Sequence, residues 1–299
     1  MTDRPCDNPF AGEGDWLKTA VHVHTTHSDG AVSPGDALAA YAAAGYDAIA
    51  FGDHRRVTCP PSGRMIVIPG AEFDARPPDS PAGFHFMAVG LPAGFDDPMD
   101  RHNEDPAALA KTLAGLCRYL VIAHPYWSAL TTELIAPLAG LAHGLEVYNH
   151  GCHVEDELGL SMYVWDQLLA RAARLHGLAV DDAHWRRDDD RFGGWLMVRS
   201  PERSVEAVLS AMKAGRFYAT MGPEIRRIEQ VGPRRFRVET SPAEAILFRC
   251  NGSLGDGRQT GRGGPITAAE HDLPDRARFL RVEVTDAAGR KAWSNPFYL

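Results

Sequence analysis

Three histidines and one aspartate, His22, His24, His27 and Asp29, fall within eight positions of one another. In an extended strand residues i and i+2 share a face, so His22 and His24 can grip one cation together. Asp29 can reach back to the same point from a Ser28-Asp29-Gly30 turn. Imidazole and carboxylate together suit zinc, manganese or iron better than calcium or magnesium. Two half-buried structural histidines would look the same over so short a stretch, so the rest of the chain has to decide.

The elements that must position these residues alternate. A strand ending near His24 is followed by a helix opened by Ser33-Pro34-Gly35-Asp36, where Ser33 caps and Pro34 fits the first turn. Strands are predicted over 47–52, 65–68 leading to Gly70-Ala71-Glu72, 85–90, 119–125, 144–149 and 178–184. Helices are predicted over 106–117, 132–141, 158–175 and 201–214. Such alternation implies an α/β fold with parallel strands closed, or nearly closed, into a TIM-like barrel. The polar residues are placed informatively. His22 and His24, His54, Glu72, His124, and Asp182 with His184 all fall at the C-terminal ends of predicted strands, the rim where α/β barrels build their sites. A purely structural histidine has no reason to prefer that edge, so the pattern points to a metal centre.

Beyond Arg216 the alternation stops. Short strands are predicted over 225–230, 235–240, 245–250, 279–285 and 292–299, with turns at 231–233 and 287–289 and a mobile glycine-rich loop over 252–264. The expected organisation is a barrel over 1–222 and a small β-rich C-terminal domain over 223–299.

Composition excludes several classes. The 299 residues are 44% hydrophobic and 23% charged, an ordinary globular balance. The formal charge of −8, with no basic stripe, argues against a nucleic-acid partner. Five scattered cysteines without a Cys-x-x-Cys pair argue against a disulfide framework and a structural zinc knuckle. The polar first 17 residues do not read as a signal peptide, and no apolar run is long enough to span a bilayer, so a cytoplasmic location is expected.

With these residues in view, the sequence resembles the polymerase-and-histidinol-phosphatase (PHP) superfamily of metal-dependent phosphoesterases. The matching pieces are His22-x-His24 with Ser28-Asp29-Gly30, Asp53-His54, Gly70-x-Glu72, His85, His124-Pro125 and Asp182-x-His184, in order over residues 20 to 185. No single piece is specific, whereas the ordered set is. Trp16-Leu17-Lys18, Gly144-Leu145-Glu146-Val147-Tyr148-Asn149, the stretch from Gly215 to Pro223 and the closing Ala292-Trp293-Ser294-Asn295-Pro296 further resemble the CehA/McbA-type branch, named for carbamate-hydrolysing members. Asp181, beside Asp182, departs from the family's usual Gly or Ser.

The resemblance implies a distorted seven-stranded (β/α) barrel with two or three divalent metals (zinc, manganese or iron). His22, His24, Glu72 and Asp182 would hold the first. Glu72 would bridge to a second held by His85 and His124, and Asp29, His54 and His184 would hold a third. The expected chemistry is hydrolysis of a small phosphorylated metabolite, a mono- or diester, by a hydroxide shared between metals. A metallohydrolase of a carbamate, carboxylic ester or amide is the alternative, and a lapsed barrel serving as a binding module is the third reading.

Asp182 or His184 could relay a proton, and Arg55, next to His54, is the leading candidate to grip phosphate bidentately. Arg186 and Arg216 are further substrate-binding candidates, and Glu146 and Asn149, at the rim end of their strand, are candidates either to support the ligands from behind or to bind substrate. His150, Cys152 and His153 read as a loop at the pocket edge, and His27 as a turn residue. His102, His143, His176 and His271 read as surface or packing residues in helices or loops away from the rim. The expected partner is a small molecule, with no membrane and a possible homo-oligomer.

Overall fold

The computed structural model describes residues 8, 10, 12–92, 95, 104–251 and 257–299; Cys6 and His102 lie outside them. The first layer is β1 (Asp15–Val21), α1 (Pro34–Ala43), β2 (Ala48–Ala50) and β3 (Ile66–Ile68). β1 pairs parallel with β2, and β2 with β3. The short strands are buried throughout, which is why they read as continuous apolar runs. Ser33 caps α1 by accepting the Asp36 N–H, and Pro34 stands in the first turn.

The second sheet holds β4 (Gly70–Ala75), β5 (Phe84–Val89), β6 (Tyr119–Ile122), β7 (Gly144–Asn149) and β8 (His176–Val180) in that order. Between them run α2 (Pro106–Leu116), α3 (Thr132–Ile135), α4 (His150–Asp156) and α5 (Met162–Ala170). Here the uniform parallel alternation gives way. β5 is antiparallel to both β4 and β6, with no helix between β4 and β5; only β6–β7 and β7–β8 are parallel. The helix expected over 158–175 is shorter because Leu160 bridges back to Tyr148, and α5 starts only at Met162. The residues just before it, His150 and His153, lie on α4 rather than in a loop.

Two isolated parallel bridges tie the sheets together at one edge, Val23 to Ala183 and His54 to Glu72. Just past β1, the His22 N–H donates to Ala50 O and the Asp182 N–H donates to His22 O. The ends of β2, β1 and β8 therefore lie side by side, where the polar motifs fall. Phe73, Phe86, Tyr119, Leu145 and Trp165 fill the core beneath.

β9 (Trp195–Ser200), α6 (Val205–Lys213) and β10 (Phe217–Thr220) follow. β9 was not anticipated; its alternating burial is the signature of a strand with one solvent-facing side. It pairs antiparallel with β1 and with β10. The remainder is β11 (Ile225–Gln230), β12 (Arg235–Ala243), β13 (Ala245–Arg249), β14 (Arg258–Thr260), β15 (Ile266–Asp272), β16 (Phe279–Thr285), β17 (Lys291–Ser294) and β18 (Phe297–Tyr298). β14 lies inside the stretch expected to be a glycine-rich loop, whose residues 252–256 are outside the described ones. β15 was also unanticipated, because four of its seven positions are exposed and its inward side carries only Ile266, Ala269 and His271, the last against Phe248.

β17 pairs with β10, so one sheet runs from β14 through β13, β16, β17, β10, β9 and β1 to β3, across the boundary expected at residue 222. A second core of Ile225, Ile228, Phe236, Val238, Phe248 and Val282 lies on the C-terminal side. Asn295 stitches the two sides: its amide donates to Gly215 O and Phe217 O and accepts from the Gly177 N–H. Buried Arg281 on β16 pairs with Asp166 on α5. No helix among the described residues is long and apolar enough to cross a membrane.

Candidate metal centre

The site forms where chain segments leave their strands. His22 (φ 71°), His124 (φ 25°) and Asp182 (φ 54°) each follow a strand and each has left-handed backbone geometry. That conformation is costly for a non-glycine residue and clusters at functional sites. It also corrects the route by which His22 and His24 converge. β1 ends at Val21, so the two imidazoles meet because the backbone turns at His22, not through strand alternation. Gly52 makes room for this turn, since a Cβ there would stand 2.6 Å from His22 Cδ2. His85 is the second residue of β5, whose antiparallel direction brings its start to the same rim where the parallel strands end.

Nine residues expected at the site, His22, His24, Asp29, His54, Glu72, His85, His124, Asp182 and His184, come together here. His22 Nε2 lies 3.3 Å from Glu72 Oε2 and 3.2 Å from Asp182 Oδ1. His24 Nε2 lies 3.4 Å and 3.1 Å from the same two oxygens. Ligands about 2.1 Å from a common cation stand roughly 3.0 Å apart in an octahedron and 3.4 Å apart in a tetrahedron, so these separations match polyhedron edges. His22 Nε2, His24 Nε2 and Asp182 Oδ1 are buried and have no hydrogen-bond partner. Buried polar atoms are rarely left so, and three facing one point fit a cation.

Glu72 turns its other oxygen, Oε1, to His85 Nδ1 at 2.9 Å and His124 Nε2 at 3.1 Å, a bridging disposition. A third group gathers Asp29, His54 and His184 with His24. Asp29 Oδ2 is 3.4 Å from His184 Nε2, and Oδ1 is 3.7 Å from His54 Nε2. The residues therefore fit divalent cations.

The electrostatics carry the same message. Burial would raise the Glu72 and Asp182 carboxyls, yet the surrounding imidazoles hold both well below the usual range. Burial likewise opposes charge on His22, but Asp182, Glu72 and Glu146 raise it well above the ordinary histidine value. His184 is pushed up to about 9, its burial outweighed by Asp29 and Asp182. Buried carboxylates of this kind demand positive charge in their midst.

Behind the ligand-type residues sits a supporting layer. Fully buried Glu146 lies 2.7 Å from His22 Nδ1 and accepts from the His124 N–H and from Asn149 Nδ2. Asn149 also donates to Asp182 Oδ2. Of the two places expected for them, both residues therefore take the one behind the cluster and not the substrate face. Asp53 accepts from the Thr25 N–H and from the hydroxyls of Thr25, Ser28 and Thr58, fixing the loop that carries His24 and Asp29. Asp181 accepts from the Tyr41 hydroxyl and from the N–H groups of Phe192, Gly193 and Gly194, anchoring the loop after His184.

The arginines divide. Arg55 donates to the carboxylate and backbone carbonyl of Asp74 and does not line the cleft. Arg216 precedes β10 at the opposite end of β1, where its backbone pairs with Arg199. Arg186 lines the cleft and donates to Asp29. The cleft, about 230 Å³, is closed by Trp127, Gly151, Cys152 and Glu155, of which sequence reasoning noted only Cys152. Burial raises the Cys152 thiol, which makes it a wall and not a nucleophile. Away from the cleft, His143 precedes β7, His176 opens β8 and His271 lies in β15.

No family model and no curated protein matches the chain. Among solved structures it is similar to a two-domain protein containing a predicted PHP-like metal-dependent phosphoesterase from Bacteroides vulgatus, with a TM-score of 0.54, 18% identity, and 100% of this chain and 99% of that one covered. Weaker likenesses are to an amidohydrolase from Chromobacterium violaceum (TM-score 0.39, 15% identity, 57% of this chain and 89% of that one) and to a protein inferred to be a metal-dependent phosphoesterase from Bifidobacterium adolescentis (TM-score 0.37, 14% identity, 60% and 91%). Fold and site together define a mixed α/β protein that shares its fold with the Bacteroides vulgatus protein and carries a buried His/Asp/Glu cluster suited to divalent cations.

Proposed function

We propose that the chain is a PHP-superfamily metal-dependent hydrolase of the CehA/McbA-type branch acting on a small phosphate ester. One observation carries the reading: His22 Nε2, His24 Nε2 and Asp182 Oδ1 are buried, unpartnered and within 3.2 Å of one another in the His22–Asp182 and His24–Asp182 pairs.

His22, His24, Glu72 and Asp182 would hold one ion, and Glu72, His85 and His124 a second; Asp29, His54 and His184 would hold a third. Bound divalent ions would supply Lewis-acid chemistry, a nucleophile at neutral pH and neutralisation of charge on the phosphoryl group. Arg186, at the mouth, would orient the anion through a guanidinium already steadied by Asp29. Glu146 holds the Nδ1 proton of His22, which leaves Nε2 free as a donor atom. His184, pushed up to about 9 by Asp29 and Asp182, would exchange its proton for a cation on loading.

A second reading, hydrolysis of a carbamate, ester or amide, draws support from Arg55, whose guanidinium is committed to Asp74 and not to the cleft. The test is hydrolysis of p-nitrophenyl phosphates beside p-nitrophenyl carboxylic and carbamic esters by metal-loaded protein, with Asp182→Asn as control. Phosphate turnover lost in the variant supports the first reading. Turnover of the carbon esters alone, equally lost, replaces it with the second.

A further inference from the structure

The histidines of the cluster differ in what stands behind them. His22 Nδ1 faces Glu146 Oε1 at 2.7 Å, and a carboxylate only accepts. The ring proton of His22 is therefore locked on Nδ1, and Nε2 presents a lone pair. That Nε2, with buried His24 Nε2 and Asp182 Oδ1, has no hydrogen-bond partner among the described residues. This group takes a cation without giving up a bond. His124 is held differently. Its Nδ1 lies 2.9 Å from the hydroxyl of Ser128, a group that donates or accepts. Its Nε2 lies 3.1 Å from Glu72 Oε1, which His85 Nδ1 also approaches at 2.9 Å. Glu72 only accepts, so the His124 ring carries its proton on Nε2 and takes the Ser128 hydroxyl proton on Nδ1. A cation shared with Glu72 needs the opposite tautomer, with the lone pair on Nε2. Ser128 serves both by rotating one hydroxyl. Its atoms are otherwise fixed: it is 5% exposed, its N–H donates to His124 O, and its carbonyl accepts the Gly83 N–H.

We propose that Ser128 is a positioning residue that makes His124 a tautomer switch, so that the cluster fills in a fixed order. The His22, His24 and Asp182 group fills first, and the Glu72, His85 and His124 group later. This deepens the metal-dependent reading and rests on it, though not on the reaction. In the switch one proton passes from Nε2 to water, one passes from water to Nδ1, and the ring stays neutral. The later group must first surrender two hydrogen bonds to a carboxylate, so its cation should bind about tenfold or more weakly than the first.

The test reads the ring protons directly. Protein labelled at histidine nitrogens is stripped with a chelator, titrated with zinc and followed by two-bond proton–nitrogen correlation spectra, which distinguish the Nδ1–H and Nε2–H tautomers. The His124 signals are assigned by their loss in His124→Gln. His22 should carry its proton on Nδ1 throughout and shift in the first zinc step. His124 should hold its proton on Nε2 through that step and move it to Nδ1 in a later one. A His124 proton on Nδ1 before zinc, a change in the first step or no change at all would overturn the proposal. Calorimetry on Ser128→Ala should show the later step weakened about tenfold, the effect of losing an orienting partner, and the first step unmoved; Ser128→Thr, which keeps the hydroxyl, should restore it. Equal weakening of both steps would reduce Ser128 to a prop for its turn and overturn the proposal, and absent zinc uptake would remove the metal reading with it. Phosphate ester hydrolysis is measured in parallel. Ordered loading without turnover sinks the hydrolase reading and leaves the switch standing, whereas turnover with simultaneous loading does the reverse.

Discussion

Replacing Glu146 by Gln tests how the cluster is built. Glu146 is fully buried and accepts on both oxygens: Oε1 faces His22 Nδ1 at 2.7 Å, while Oε2 takes the His124 N–H at 2.8 Å and Asn149 Nδ2 at 3.0 Å. The last two partners are obligate donors, so the glutamine must keep its oxygen toward them and turn its NH2 toward His22. His22 Nδ1 then becomes an acceptor, and the ring proton moves to Nε2, the atom 3.2 Å from Asp182 Oδ1 that should carry the lone pair. Shape and volume hardly change; the tautomer inverts. Loss of such an orienting partner costs about 10–100-fold in metal affinity, or roughly 1.4–2.7 kcal/mol. Ion content after dialysis against limiting zinc, measured by plasma mass spectrometry, should fall, and the zinc-induced rise in melting temperature should shrink in step. Unchanged circular dichroism would show the fold intact. A Glu146→Gln protein that binds zinc with wild-type affinity and stoichiometry would refute the assignment of His22 Nε2 as a ligand.

Four further outcomes follow from the same geometry. Asp182→Asn should abolish hydrolysis of any active ester and lower bound metal, since Asp182 Oδ1 faces both His22 and His24; retained turnover would refute its role. Gly52→Ala places a methyl 2.6 Å from His22 Cδ2, so bound metal should drop severalfold while urea stability falls by about 1–3 kcal/mol; unchanged metal content would show that the imidazole can shift freely. Chelation of the loaded protein should lower its melting temperature, because the buried carboxylates lose their counter-charge, and an unmoved transition would count against a resident cation. His176 opens β8, and burial, aided by His143, depresses it to about 4, below the ordinary 6.5. Its contribution is therefore complete above pH 6.5 and lost as pH falls toward 4, by about 2 kcal/mol at pH 5. His176→Gln should flatten the pH dependence of urea stability between pH 7 and 5 by that amount, and parallel curves would rule the histidine out.

The ligand-type residues were legible because chemistry constrains residue type at fixed points. Imidazoles and carboxylates at strand ends need no knowledge of pairing to be noticed, and nine of them converge. What the sequence hides is direction. Nothing in the apolar runs 85–90 and 119–125 says that β5 runs antiparallel, because a fully buried strand reads the same in either sense. That reversal is nevertheless what brings His85, the second residue of β5, to the rim. Position at a strand end leaves Glu146 and Asn149 either a supporting or a substrate role, and the hydrogen bonds to His22 and Asp182 put both behind the cluster.

Arg55, unlike Arg186, lies off the cleft for a related reason. Arg55 follows His54 in sequence, but its backbone has positive φ, and its guanidinium lands on Asp74 of β4 instead of in the cleft. Trp127 carried no signal at all, being one aromatic residue in a turn. Its place depends on His124 Nδ1 lying 2.9 Å from the Ser128 hydroxyl and on the Ser128 N–H returning to His124 O. The turn that presents the metal-facing histidine thus also presents the aromatic wall.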